Sequence, residues 1–136
     1  MIKTLISSAF LLAYAASAQG ACTQANIAGT WTAYSISQDD SGELAWTACN
    51  LVINTAGAFT TVTSSCTASG QTVQVQGSLK LAVAARCAYS GSIAIPNDVT
   101  DPLPSITLSL DKQTAIGVGG KDGTNNVFVF SMVKTK

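Results

Sequence analysis

Between residues 72 and 83 the chain alternates. Val73, Val75, Gly77, Leu79, Leu81 and Val83 share one face, and Gln74, Gln76, Ser78 and Lys80 share the other. A period of two belongs to an extended strand, and a single polar face marks an antiparallel strand half buried against a core. Helical spacing is absent. Further strand-like segments lie at 30–38, 46–55, 58–66, 87–95, 105–110, 114–119 and 126–134. Turn-forming residues separate them: Asp40-Ser41-Gly42, Gly57, Ser69-Gly70, Pro96-Asn97-Asp98, Asp111-Lys112 and Asp122-Gly123. Short strands in sequence order predict an all-β fold, an eight-stranded antiparallel up-and-down β-barrel, because closure removes exposed edges. The alternative is a two-sheet β-sandwich. An outer-membrane barrel needs an apolar outward band on nearly every strand, which the polar face of 72–83 does not supply.

The first residues read as an export signal. Lys3 gives the positive start, Leu5 to Ala15 the apolar core, and Ala16-Ser17-Ala18 a small-x-small cleavage site. We expect residues 1–18 to be removed, leaving 19–136 as a single domain in a secreted or periplasmic, bacterial-type setting. The alternatives are an uncleaved anchor, for which the apolar run is short, and a lipoprotein attached at Cys22. No transmembrane segment is expected after cleavage. Seven acidic and seven basic residues leave no net charge, which argues against nucleic acid as a partner.

Gly29-Thr30-Trp31 opens the first strand. It resembles the first-strand Gly-x-Trp of the calycins: lipocalins, avidins and small bacterial barrel inhibitors. The resemblance implies an eight-stranded barrel whose Trp packs across the closed end. In lipocalins a basic residue from the last strand region covers that Trp, and Lys134 is the candidate here. Avidin-type pockets are walled by several tryptophans. This chain has Trp31 and Trp46 only, so a biotin site is not expected.

In a meander, loops alternate between the two ends. The open-end connections would be 39–45, 67–71, 96–104 and 120–125, and the closed-end ones near 56–58, 84–86 and 111–113. The first set is longer, as in a barrel with one working mouth. Asp39, Asp40, Glu43, Asp98, Asp101 and Asp122 fall in mouth loops against Lys121, whereas Arg86 and Lys112 lie at the closed end. An acidic rim is one reading; the other is that acids favour loops.

The even count of four cysteines in an exported chain points to disulfides. A type II′ turn at Gly57-Ala58 would oppose Ala56 to Phe59, Ile53 to Val62, Leu51 to Ser64 and Cys49 to Cys66. That register supports a Cys49–Cys66 bridge, and elimination leaves Cys22–Cys87, both at the closed end of a barrel. The cysteine spacings lack the close pair that zinc sites use.

The absence of histidine removes the Ser-His-Asp and Cys-His arrangements. The acids sit in turn-like contexts, unlike the partly buried carboxylate pairs of glycosidases. They offer oxygen ligands for calcium but no recognised loop pattern. No cofactor or metal is expected. Gly117, Gly119 and Gly120 do not fit a dinucleotide fingerprint; they, Gly77 and Gly91 read as strand glycines that permit close packing or a bend. Phe128, Phe130 and Met132 share one face of the last strand, with Val127, Val129 and Val133 on the other. We read this as closure of the barrel against the first strand; the alternative is an apolar outer patch for a partner.

The expected function is non-enzymatic binding of a small apolar molecule inside the barrel. Alternation assigns Trp31, Val75, Leu79, Leu81, Tyr89, Ile93 and Phe128 to the interior. The alternative is a protease or lysozyme inhibitor, or an adhesion module, that meets a basic protein target through the acidic mouth loops. The sequence leaves the oligomeric state open.

Overall fold

In the computed structural model, residues 20–38, 41–98, 100–120 and 127–136 are described. The expected signal segment therefore lies outside the described residues. Among the described residues nine strands form one antiparallel sheet: β1 (Gly29–Gln38), β2 (Leu44–Ile53), β3 (Ser65–Ala68), β4 (Gln71–Gln74), β5 (Gln76–Val83), β6 (Ala88–Ala94), β7 (Thr100–Leu108), β8 (Thr114–Gly120) and β9 (Val127–Lys134). Their order is β4-β3-β2-β1-β9-β8-β7-β6-β5. This is an up-and-down β-barrel arrangement in a single sheet, not two sheets.

The two outermost strands, β4 and β5, are consecutive in the chain and separated by Val75 alone. The sheet therefore curls until its ends meet. Backbone bonds stitch that junction: Val75 N–H donates to Ser64 O at 3.0 Å, Phe59 N–H to Gly77 O at 2.9 Å, and Leu79 N–H to Gly57 O at 2.8 Å. The count of eight strands took 72–83 as one. The structure divides this path because its first half pairs with β3 and its second with β6. The side-chain period does not register a change of backbone partner. Gly77 and Gly91 allow the crossing: a β-carbon on Gly77 would strike the Ser92 carbonyl, and one on Gly91 the Ser78 carbonyl.

The β2–β3 connection departs from the expected register. Ile53 bridges Phe59, not Val62. Asn54 organises the turn, its Oδ1 accepting from the Ala56 and Ala58 amides, each at 3.0 Å. The chain then makes an outward excursion. Thr60 Oγ1 donates to Val52 O at 3.0 Å, Ser64 N–H donates to Thr60 O at 2.9 Å, and Val62 is 88% exposed. The extra residues are absorbed there, so Cys49 still faces Cys66 across β2 and β3. Both expected disulfides are formed, Cys22–Cys87 and Cys49–Cys66, with Cα separations of 5.1 and 4.0 Å.

Strand β7 begins at Thr100, inside the connection expected over 96–104, and carries Pro102 and Pro104. The ladder accommodates the prolines beside the irregularity that shifts its register between Tyr89 and Gly91. A second shift, between Leu81 and Val83, turns Val83 toward solvent at 36% exposure.

One end of the barrel is sealed by the segment before β1. A short 3-10 turn at Gln24–Ile27 places Ile27 in full burial. The fully buried Trp31 donates its indole N–H to Ile27 O at 2.8 Å. Lys134 arrives from β9 with its ammonium 4.9 Å from the centre of the Trp31 ring, and donates to Asn26 O at 3.0 Å. Gln24 bonds both Leu79 O and the Leu81 amide at 2.8 Å. Gly29 is needed here. Its φ is +137°, and a β-carbon would lie 2.7 Å from Lys136 O.

Trp31→Ala is expected to destabilise the protein by about 3–5 kcal/mol in urea unfolding, since it empties the sealed end. A loss under about 1 kcal/mol would contradict this packing. The chain-entropy argument also ranks the disulfides. Replacing Cys22 and Cys87 with Ala should cost about 4 kcal/mol, and replacing Cys49 and Cys66 about 3 kcal/mol, because the bridges span 65 and 17 residues. Denaturant titration of the two variants tests the order.

Candidate functional site

Above the sealed end the barrel encloses a cavity of about 290 Å³. That is the volume of roughly ten liquid waters, enough for a compact molecule of roughly ten to fifteen non-hydrogen atoms. Its walls are largely apolar. Leu51, Phe59, Val75, Leu79, Ile106 and Met132 contribute buried surface. The Cys49–Cys66 bridge also lies in the lining.

Two features of sequence keep the space open. The inward positions of β1, β2 and β3 carry small residues: Ala33, Ser35 and Ser37, then Thr47, then Ala68. On the adjoining wall, Gly117 faces Phe130 and Gly119 faces Phe128 across the β8–β9 ladder. A β-carbon on either glycine would run into the phenyl ring opposite. Both rings therefore lie against β8, and the lumen keeps the space a bulkier β8 would push them into. The glycine pattern of 117–119 thus has a cross-strand cause, an aromatic ring covering each bare position.

Of the interior residues expected from alternation, Val75, Leu79, Ile93 and Phe128 line the cavity. Trp31 and Tyr89 are buried below it, and Leu81 packs against the same core. These three belong to the floor. Tyr89 donates its hydroxyl to Thr23 O at 2.7 Å. Burial raises its phenol above the ordinary value of 10.0. Burial pulls the Lys134 ammonium the other way, below 10.5. Alternation missed Phe59 and the lining residues of β7. Phe59 turns inward because it bridges Ile53 in the shifted register, and Leu103 lies in the connection expected over 96–104.

Ser37, Thr47 and Asp101 stand toward the mouth. The acidic-rim reading named six residues. Glu43 and Asp98 are exposed at this end, and Asp101 lines the cavity. Asp39, Asp40 and Asp122, like Lys121, lie outside the described residues. Among the described residues, no three His, Cys, Asp or Glu side chains gather in a metal-binding group, and no helix is long and apolar enough to cross a membrane.

No protein-family model matches the chain, and no curated protein matches it. Among solved structures it is similar to a redesigned β-barrel, with a TM-score of 0.56 at 10% identity over 83% of this chain and 95% of that one. At that identity the likeness speaks for the fold alone.

Tyr89→Phe should lower stability by about 1 kcal/mol through loss of the bond to Thr23. The unfolded phenol ionises first as pH rises, so Tyr89's contribution is full below pH 10 and declines as pH passes through its raised folded value. The wild-type advantage over Tyr89→Phe should therefore shrink in alkali. Paired urea titrations from neutral to alkaline pH measure it, and Lys134 cancels in the comparison.

Proposed function

We propose that the protein is an exported, calycin-like binding protein that holds a small, mainly apolar molecule in its lumen, rather than an enzyme. The observation that carries this reading is the cavity of about 290 Å³, kept open by Phe128 and Phe130 lying against glycines. Apolar walls with a few polar groups near the opening are the usual composition of a small-molecule site. Ser37, Thr47 and Asp101 would orient a hydrogen-bonding head toward the mouth while the apolar body enters. The calycin-like reading draws support from Gly29-Thr30-Trp31 and from Lys134 lying over the Trp31 ring. Two disulfides suit an oxidising compartment, secreted or periplasmic.

Native mass spectrometry of the protein from its own host, before and after solvent extraction, tests the reading. We expect an extra mass that extraction removes. Ser35→Phe, which fills the lumen from β1, should retain the fold by circular dichroism and lose that mass. A clean apo mass for the wild type would contradict the carrier reading. It would turn attention to the second one, an inhibitor or adhesion module whose mouth, with Glu43 and Asp98 exposed, meets a basic protein.

A further inference from the structure

The outward face of β2, β1, β9 and β8 is largely apolar, and its polar side chains, such as Thr32, Asn50, Ser131 and Thr114, are uncharged, where a solvated sheet face is normally polar. These adjacent strands contain one charged residue, Lys134, and it is turned onto Trp31. Ladder register sets the outward side chains in rows. Trp46 pairs with Ile36, Ile36 with Val129, and Val129 with Val118. The next row places Tyr34 opposite Ser131 and Ser131 opposite Ile116. Trp46 is 69% exposed, Ile116 65% and Tyr34 58%. A shallow depression of about 520 Å³ runs between these side chains. The opposite wall is different: outward β5 carries Gln76, Ser78 and Lys80. Reading the apolar last strand as closure therefore accounts for the β1–β9 ladder but not for its outward valines. Val127, Val129 and Val133 remain 51–68% exposed.

We propose that this face is the interface of a two-fold dimer, its occupant a second copy of the same chain. Three considerations select that occupant. Trp46, Tyr34, Ile116, Val127, Val129 and Val133 are each more than half exposed; a monomer rarely leaves so many large apolar side chains together in solvent, and a standard interface buries them. A face without charge needs an uncharged surface opposite, and a two-fold contact presents the same patch on both sides. A lipid surface is recognised by apolar side chains together with Lys or Arg, and no Lys or Arg lies on this face. Face-to-face packing, as for two aligned sheets, would bring the two copies of this face together. The inference does not rest on the lumen reading.

Sedimentation velocity of the processed, disulfide-bonded protein over the micromolar range tests the proposal. We expect the mass to double with rising concentration, and the dimer to persist when salt is raised. Trp46→Lys and Val129→Lys, both at exposed positions, should each weaken association by at least about tenfold while leaving circular dichroism unchanged. Iodide should quench Trp46 fluorescence less in the dimer than in the Val129→Lys variant. A wild type that stays monomeric throughout overturns the proposal, as does a dimer that survives both substitutions. Co-sedimentation of monomers with phosphatidylcholine vesicles would assign the face to lipid and also overturn it.

Discussion

Trp31 is the point on which the barrel depends. Its ring is fully buried and its indole nitrogen has a partner, so it brings large apolar area without leaving a polar group stranded. Three stretches of chain meet there: the turn before β1, β1 itself, and the end of β9 through Lys134. A desolvated ammonium over an indole contributes up to about 2 kcal/mol. Burial works against that gain, as the lowered Lys134 pKa records. The arrangement is specific more than strong. It joins the first and last strands through named contacts: the indole bond to Ile27 O, and Lys134 over the ring and on Asn26 O.

The lumen follows from what sits above that seal. A barrel of this size fills with side chains unless its inward positions are small. Here small residues occupy the inward side of β1, and β8 contributes bare backbone to receive two phenyl rings. The cavity is thus an outcome of residue size at specified ladder positions. Some packing energy is forgone wherever a cavity stays open. Strand β9 also turns valines outward, so its two faces are written in apolar residues for different reasons.

Much of this was legible in the sequence, and the failures share a cause. Alternation in 72–83 correctly reported one buried and one solvated face, but not that the backbone changes partner at Val75. Side-chain period carries information about faces and none about which neighbour accepts a hydrogen bond. The Cys49–Cys66 bridge was reached through a hairpin register that the structure replaces. The cysteines face each other because Thr60–Ser64 absorbs the offset, and its bonds depend on Thr60 and Ser64 hydroxyls placed by the fold. The connection expected over 96–104 hid the start of β7, whose Pro102 and Pro104 are tolerated where the ladder is irregular. The role of Lys134 followed from the Gly-Thr-Trp resemblance. The glycine–phenyl pairs needed the β8–β9 register, which no local pattern encodes.

The seam between β1 and β9 also governs timing. Chain growth proceeds from the N-terminus, and Trp31 is made more than a hundred residues before Lys134. Local hairpins such as β5–β6 can form early, but the ladder from Trp31 to Lys134 is among the most distant pairings the chain makes. Pairings of such separation form slowly, because loop closure must precede their reward. A polypeptide still being synthesised can therefore hold its early hairpins while its sealed end waits for the last strand.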